Sequence, residues 1–302
     1  MKIFLIYKFS KRNIGTVQMR TFQLKDILKE NIRDYKIYSI PISNNFNIIS
    51  DFIFKYLFHE GDVLIFNKDA IKCLGSKTLK FLRKLNCHIL FDLLDGNTTA
   101  VDFTKFDTLI CSSHRQYEYF RNRNLPNNIM FLQHHADLRL LRQRPVVASD
   151  NIVYVGERHN VYLPQESHGL VELLRYQQRL DEKLIGALLS AKAHYAVRPA
   201  AQTVRTSQFK PPTKIANAAA CQKPIIINEN ADGAQELLGS SYPYLVRSDL
   251  KDAHYIVEKV LAADPHTDID YLNALKAMKS LRSYFSHETI TDTLMKHIHL
   301  KQ

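Results

Sequence analysis

Two rhythms of apolar residues alternate along the first half of the chain. KIFLIY (2–7), YKIYSIPI (35–42), DVLIFN (62–67), CHILFDLLD (87–95) and FDTLICSS (106–113) are short runs rich in β-branched and aromatic residues, which predicts strands. Between them, QMRTFQLKDILKEN (18–31), NIISDFIFKYLFHEG (47–61), SKTLKFLRKLN (76–86) and HRQYEYFRNRN (114–124) repeat apolar positions near i, i+3, i+4 and i+7, which predicts helices. Gly61 is placed to end the second of them. NIMFLQHHAD (128–137) closes the half as a strand.

Around 138–151 the pattern turns basic and irregular, as a linker would. A second series then starts with the strand NIVYVGE (151–157). It continues with a helix near 166–178, a helix–strand pair over 181–197 and the unit FKPPTKIANAAACQKPIIINENADGAQELL (209–238). A strand YPYLV (242–246) and helices near 249–263, 268–279 and 288–298 complete it. Strands separated by helices of this length predict parallel sheets wound in right-handed βαβ units. The expected fold class is therefore α/β: two Rossmann-like, doubly wound domains facing a cleft, over 1–145 and 146–302, with the last helix able to pack back on the first domain.

With 302 residues the chain is long enough for two cores. No apolar run reaches the length of a membrane span, and MKIFLIYKFSKRN reads as a first strand and not a signal peptide. Four scattered cysteines without a C-x-x-C pair point to free thiols in a reducing compartment, not to a disulfide framework or zinc site. The formal charge of +11 is uneven: residues 1–150 hold 23 Lys/Arg against 14 Asp/Glu, whereas 151–302 hold 18 against 16. Either a solvated basic face or an anionic partner accounts for the basic half. Nucleic acid is disfavoured as that partner, because no RRM, KH or helix-turn-helix signature accompanies the charge.

In open parallel sheets ligands sit beyond the carboxyl ends of the strands. That rule selects the loop with Gly15 ahead of Arg20, the strand tip carrying Asp92 and Asp95, and the strand end QHHAD with His134 and His135. In the second half it selects GERHN (156–160), Arg198 and the 209–238 unit. There, Thr213 or Pro212 starts a helix whose first amides are free, and Lys214 in its first turn opposes the helix dipole unless an anion compensates. A second helix start lies at Gly233–Glu236. Adjacent histidines on a strand point to opposite faces, so the His134–His135 pair is a weak metal signal.

These residues resemble the GT-B class of glycosyltransferases, particularly the family 4 type. KIANAAACQKPIIINENADGAQELL is similar to that family's helix, strand and glycine-turn motif, with Ala218, Ala220, Lys223, Pro224, Gly233 and Glu236 in or near register. LICSSHRQYEYF followed by NIMFLQHHAD resembles the close of its first domain, and YVGERHN its V-G-R-L loop, with Gly156 on the glycine. The sequence departs from the family where Phe209 and Asn217 stand at the two motif glutamates, where Gln222 replaces the helix-end glycine, and where the double-glycine turn is reduced to Asp232–Gly233.

The resemblance implies transfer of a sugar from a nucleotide-sugar donor to a glycan or lipid-linked acceptor in bacterial surface polysaccharide synthesis. It implies no cofactor and no metal, and a cytoplasmic protein with a membrane-surface contact left open. Arg198, Lys210, Thr213, Lys214 and Gly233 would take the donor phosphates; Gly156, Arg158, Asn217 and Glu236 the nucleotide or sugar. His135 and Asp95 are the favoured catalytic pair, with Gly15, Arg20, Asp92 and His134 on the acceptor side. The choice between His134 and His135, and between Asp92 and Asp95, stays open. With both motif glutamates gone, binding of a sugar nucleotide or glycan without turnover is the alternative.

Overall fold

The computed structural model describes residues 1–43, 56–95, 101–144, 149–176, 180–199 and 209–299. These residues fall into two compact units, Met1–Gln133 with His287–Gln302, and His134–Ser286. The second unit starts at His134, ahead of the expected boundary at 145/146, and the last helix belongs to the first unit.

The first unit is a six-stranded sheet in the order β2-β1-β3-β4-β5-β6, in which every neighbouring pair is parallel. After β1 (Lys2–Lys8) a single continuous helix, α1, runs from Gly15 to Asn31, and its stretch Gln18–Gln23 is π-helical. There follow β2 (Lys36–Ile42), β3 (Val63–Asn67), α2 (Ser76–Lys84), β4 (His88–Asp92), β5 (Thr108–Cys111), α3 (His114–Arg121) and β6 (Asn128–Phe131). The predicted helix over 47–61 lies largely outside the described residues; its described end is at Leu57, and Gly61, with a φ of +75°, belongs to the turn that leads into β3 and does not end the helix.

Period-2 alternation in the strands divides their side chains between two cores. Phe4, Ile6, Leu64, Phe66, Ile89, Phe91 and Leu109 face one way, onto Leu82 and Phe120 of α2 and α3. Ile3, Leu5, Val63, Ile65, Leu90, Ile110 and Met130 face the other. That second face is covered by Leu24 and Leu28 of α1 and by Ile290, Leu294 and Ile298 of the C-terminal helix, His287–His299.

The second unit is a parallel five-stranded sheet in the order β11-β10-β9-β7-β8. Its elements are α4 (Leu138–Arg142), β7 (Ile152–Gly156), β8 (Val171–Arg175), α5 (Glu182–Ser190), β9 (Ala193–Tyr195), α6 (Thr213–Cys221), β10 (Ile225–Asn228), α7 (Ala234–Leu238), β11 (Leu245–Val246), α8 (Ala253–Ala262) and α9 (Ile269–Tyr284). One expectation is overturned: the segment predicted as a helix near 166–178 contains β8. VELLR follows Gly169, whose φ of +88° turns the chain, and it then pairs with β7 along its whole length as an edge strand. Five residues are too few to sustain a helix, and the ladder with β7 satisfies their backbone instead. The expected linker over 138–151 includes α4, capped by Asp137.

The alanine-rich α6 is buried on its Ala216, Ala218, Ala219 and Ala220 side, which lets α9 and the sheet approach closely. The Arg282 guanidinium of α9 then donates to the carbonyls of Ala220, near the end of α6, and Leu141, near the end of α4. A cation on those unsatisfied carbonyls suits the helix dipole. None of the four cysteines is in a disulfide, and burial pushes the thiols of Cys87 and Cys221 up to about 12.

Candidate functional site

The strand order of the second unit reverses between β7 and β9, the kind of switch point where doubly wound sheets bind ligands. Lys214, in the first turn of α6, reaches back over this point. Its ammonium donates to the Val155 carbonyl at 2.7 Å and lies 3.8 Å from the centre of the Tyr154 ring. The residue is half-buried, and desolvation, with the charge of Arg198 adding to it, pushes its pKa down to about 7. Among the described residues Lys214 has no carboxylate partner. A lone buried cation is costly unless something anionic joins it.

Arg198 leaves the end of β9 on a fixed backbone. Asn228, the last residue of β10, accepts from the Arg198 amide at 2.7 Å and donates to its carbonyl at 3.1 Å. The amide side chain thus extends the β9–β10 ladder by one step and sets where the half-buried guanidinium emerges. Tyr154 is held by a hydrogen bond from its hydroxyl to the Glu157 carbonyl at 2.9 Å, and burial pushes its pKa up to about 12. Gly156 is obligatory beside it, because a Cβ there would lie 2.5 Å from the Tyr154 hydroxyl.

No side chain caps the start of α6, where Pro212 is the N-cap and its carbonyl accepts the Ala216 amide. Gly233, at a φ of +80°, packs its α-carbon against Pro212: a Cβ there would lie 3.2 Å from the proline Cγ. The turn into α7 is thereby seated beside the start of α6. The structure so gathers Gly156, Arg198, Thr213, Lys214 and Gly233 at one edge of the sheet. Arg158 and Glu236 are exposed at this edge, and Lys210 precedes it, half-buried. Asn217 is engaged elsewhere, accepting the Asp137 amide at 3.2 Å. Tyr154 and Asn228 were not singled out by sequence; the only signals were an aromatic two residues before Gly156 and a polar residue closing the run of isoleucines.

His134 and His135 open the second unit and are both buried, with Nδ1 atoms 3.1 Å and 2.7 Å from the His135 and Ala136 carbonyls. Asp137 caps α4 and pairs with Arg139 at 3.0 Å.

The first unit has its own polar edge. Gly15 opens α1, and from the π-helical stretch Arg20 reaches Asp92 at the tip of β4, Nε to Oδ2 2.8 Å, and donates to the Gln133 carbonyl at 3.1 Å. Both side chains of the ion pair are buried. Asp95 instead pairs with Lys68 at 2.5 Å and is 37% exposed. Between the two aspartates Leu94 holds a strained φ of +54°, and Gln116 keeps it there by donating to the Leu94 carbonyl at 2.6 Å. A left-handed leucine costs about 1–2 kcal/mol, and such strain, like π-helical turns, concentrates at working sites. Among the described residues no three His, Cys, Asp or Glu side chains are grouped to hold a metal ion, and no helix is long and apolar enough to cross a membrane.

No protein-family model matches the chain, and no curated protein matches it in sequence. Solved structures do match over nearly the whole length. AviGT4, a glycosyltransferase involved in avilamycin A biosynthesis, aligns at a TM-score of 0.61 with 13% identity, covering 99% of this chain and 97% of its own. A UDP-forming α,α-trehalose-phosphate synthase from Burkholderia xenovorans aligns at 0.59 with 10% identity, covering 99% and 100%. The DNA-modifying β-glucosyltransferase aligns at 0.58 with 10% identity, covering 99% of both chains. Two parallel α/β units of six and five strands match the GT-B glycosyltransferase fold.

Proposed function

We propose that this chain is a glycosyltransferase that moves a sugar from a nucleotide-sugar donor to a hydroxyl-bearing acceptor, a glycan or a lipid-linked glycan. One observation carries the reading. Lys214 is a desolvated ammonium without a carboxylate partner among the described residues, set beside Arg198 at the uncapped start of a helix, on the switch point of its sheet. A diphosphate supplies the missing negative charge, and its oxygens suit both a point charge and a planar guanidinium.

In this reading Lys214 and Arg198 neutralise the charge that builds on the leaving phosphate, the largest electrostatic demand of glycosyl transfer. Thr213 and the amides at the starts of α6 and α7 assist, Lys210 adds positive charge, and Arg158 and Glu236 line the nucleotide side. Gly156 leaves room for the Tyr154 ring against which the Lys214 ammonium rests. Asn217, tied to Asp137, holds the start of α6 in place. Deprotonation of the acceptor hydroxyl falls to a group on the acceptor side, for which Asp92, Asp95, His134 and His135 are the candidates. The basic first half suits an acceptor at an anionic membrane surface.

A thermal-shift series over nucleoside mono- and diphosphates tests the reading, since a ligand of the native state raises its melting point. A nucleoside diphosphate is expected to stabilise the protein, and Lys214→Ala to abolish the shift along with sugar release from the matching donor. Stabilisation by no nucleotide, or an equal shift in Lys214→Ala, would overturn it. A shift without turnover against any acceptor or water would leave a binding protein.

A further inference from the structure

The ladder between β9 and β10 runs on past the ends of the two strands. The amides of His194 and Ala196 donate to the carbonyls of Pro224 and Ile226 at 2.8 Å and 2.7 Å. The next pair in that series is Arg198 with Asn228. There the backbone of β10 has turned away: the Asn228 carbonyl accepts the Ala231 amide at 3.1 Å, and the Glu229 amide crosses to the Val246 carbonyl of β11 at 2.8 Å. The Asn228 side chain takes the place of that backbone. It accepts the Arg198 amide at 2.7 Å and donates to the Arg198 carbonyl at 3.1 Å. Asn228 is 5% exposed, and backbone groups away from water are costly to leave unpaired.

Few side chains can stand in for a peptide group. Asparagine carries a donor and an acceptor at this reach, whereas an ionised aspartate only accepts, serine offers a single atom and glutamine is one methylene longer. What the clamp fixes is the point from which Arg198 sets out. On its other flank the Val197 carbonyl accepts the Tyr162 amide at 2.9 Å, and the following Pro199 biases Arg198 to extended backbone. The Arg198 guanidinium is near enough to Lys214 for its charge to help push the lysine's pKa down. Two cations repel, so an unclamped Arg198 would draw away from Lys214 whenever no anion joins them. We infer that Asn228 is a positioning residue for phosphate: its side-chain amide pins the backbone from which Arg198 reaches, and so keeps Arg198 and Lys214 aimed at one anion. The role rests on the transfer reaction proposed above, in which these two cations take the donor diphosphate. Asn228 acts through Arg198, and it favours binding by ordering the site in advance.

A double-mutant cycle on the full chain tests the role, with UDP, GDP, ADP and CDP titrated by phosphorus NMR, which reads affinities into the millimolar range. Whichever diphosphate binds the unaltered chain is expected to bind Asn228→Ala about tenfold or more weakly. Asn228→Asp, which turns the donor into a second acceptor facing the Arg198 carbonyl, should fare no better. In a chain that already carries Arg198→Ala and binds through Lys214, Asn228→Ala is expected to add less than about twofold, because the amide has no guanidinium left to aim. A residue that merely stiffened the sheet would cost the same in both backgrounds. Thermal unfolding of each variant confirms that it is folded; if Asn228→Ala is not, Asn228→Ser takes its place in the cycle. Full affinity in the folded Asn228 variant, or an equal loss with and without Arg198, overturns the positioning role and leaves the phosphate site standing. Binding of no nucleoside diphosphate by the unaltered chain sinks the phosphate site itself, and the positioning role with it.

Discussion

At the scale of the residue, Lys214 is where charge and burial conflict, and its proton carries the consequence. Its pKa is pushed from 10.5 down to about 7 by burial. Between these two values the unfolded chain holds a proton on this lysine that the folded chain has shed, so this group makes stability rise with pH across that window. An anion seated on the ammonium reverses the shift, so binding takes up a proton above pH 7. Affinity for a nucleoside diphosphate is then expected to fall as pH climbs from 7 toward 9, by up to about tenfold per unit. Titration calorimetry in two buffers of different ionisation enthalpy at pH 8 should show proton uptake, and Lys214→Arg should remove it; equal heats in both buffers would refute the linkage. Gly156→Ala drives a methyl group into Tyr154, the ring under Lys214, and overpacking of this kind costs about 1–3 kcal/mol. The expected outcome is a lowered melting temperature together with weaker nucleotide binding, read in one thermal-shift series. Lys214, Arg198 and Gly156 were legible in the sequence because strand ends and helix starts are local signals. Tyr154 and Asn228 were not, because a ring beneath an ammonium and a clamp on a backbone 30 residues away arise from sheet register, which no short window contains.

At the scale of the element, period and punctuation located most strands and helices, and the exceptions have physical causes. The edge strand β8 read as a helix because its apolar residues are not strictly alternating, and only the ladder with β7 decides between the two. The π-helical stretch of α1 has no sequence mark either; it shifts the helix so that Arg20 meets Asp92, 72 residues away. The end of α6 is the opposite case. Gln222, where the resembled family has glycine, adopts the left-handed C-cap conformation, with φ +52° and ψ +47°. A side chain there costs about 1–2 kcal/mol, partly offset in a glycine variant by the freedom glycine gains when unfolded. Gln222→Gly is therefore expected to raise stability by about 0.5–1 kcal/mol without altering nucleotide binding, as measured by urea denaturation. A destabilised variant would mean that Gln222 makes contacts worth more than its strain.

At the scale of the whole molecule, the two units differ in how the chain builds them. The second is continuous, His134–Ser286, whereas the first needs the chain's last helix. Ile290, Leu294 and Ile298 of that helix are at most 2% exposed and close the face formed by Ile3, Leu5, Val63 and Ile65. A protein made of residues 1–133 alone would leave that apolar face open, and it is expected to bind hydrophobic dye and to unfold without a cooperative transition. Residues 134–286, by contrast, contain one closed core and every residue proposed above for the donor phosphates, Arg198, Lys210, Thr213, Lys214 and Gly233, together with Gly156, Tyr154 and Asn228. Expressed alone, this fragment is expected to melt cooperatively and to bind a nucleoside diphosphate within about tenfold of the full chain. In the full chain, Leu294→Ala should cost about 2–5 kcal/mol, and it should loosen the first unit while nucleotide binding by the second persists. Two outcomes would contradict this division of labour: a fragment 134–286 that folds but ignores nucleotides, or a Leu294→Ala protein that loses both at once. The first would place the donor's contacts outside the unit that holds Lys214, and the second would make the helix a support for the whole chain.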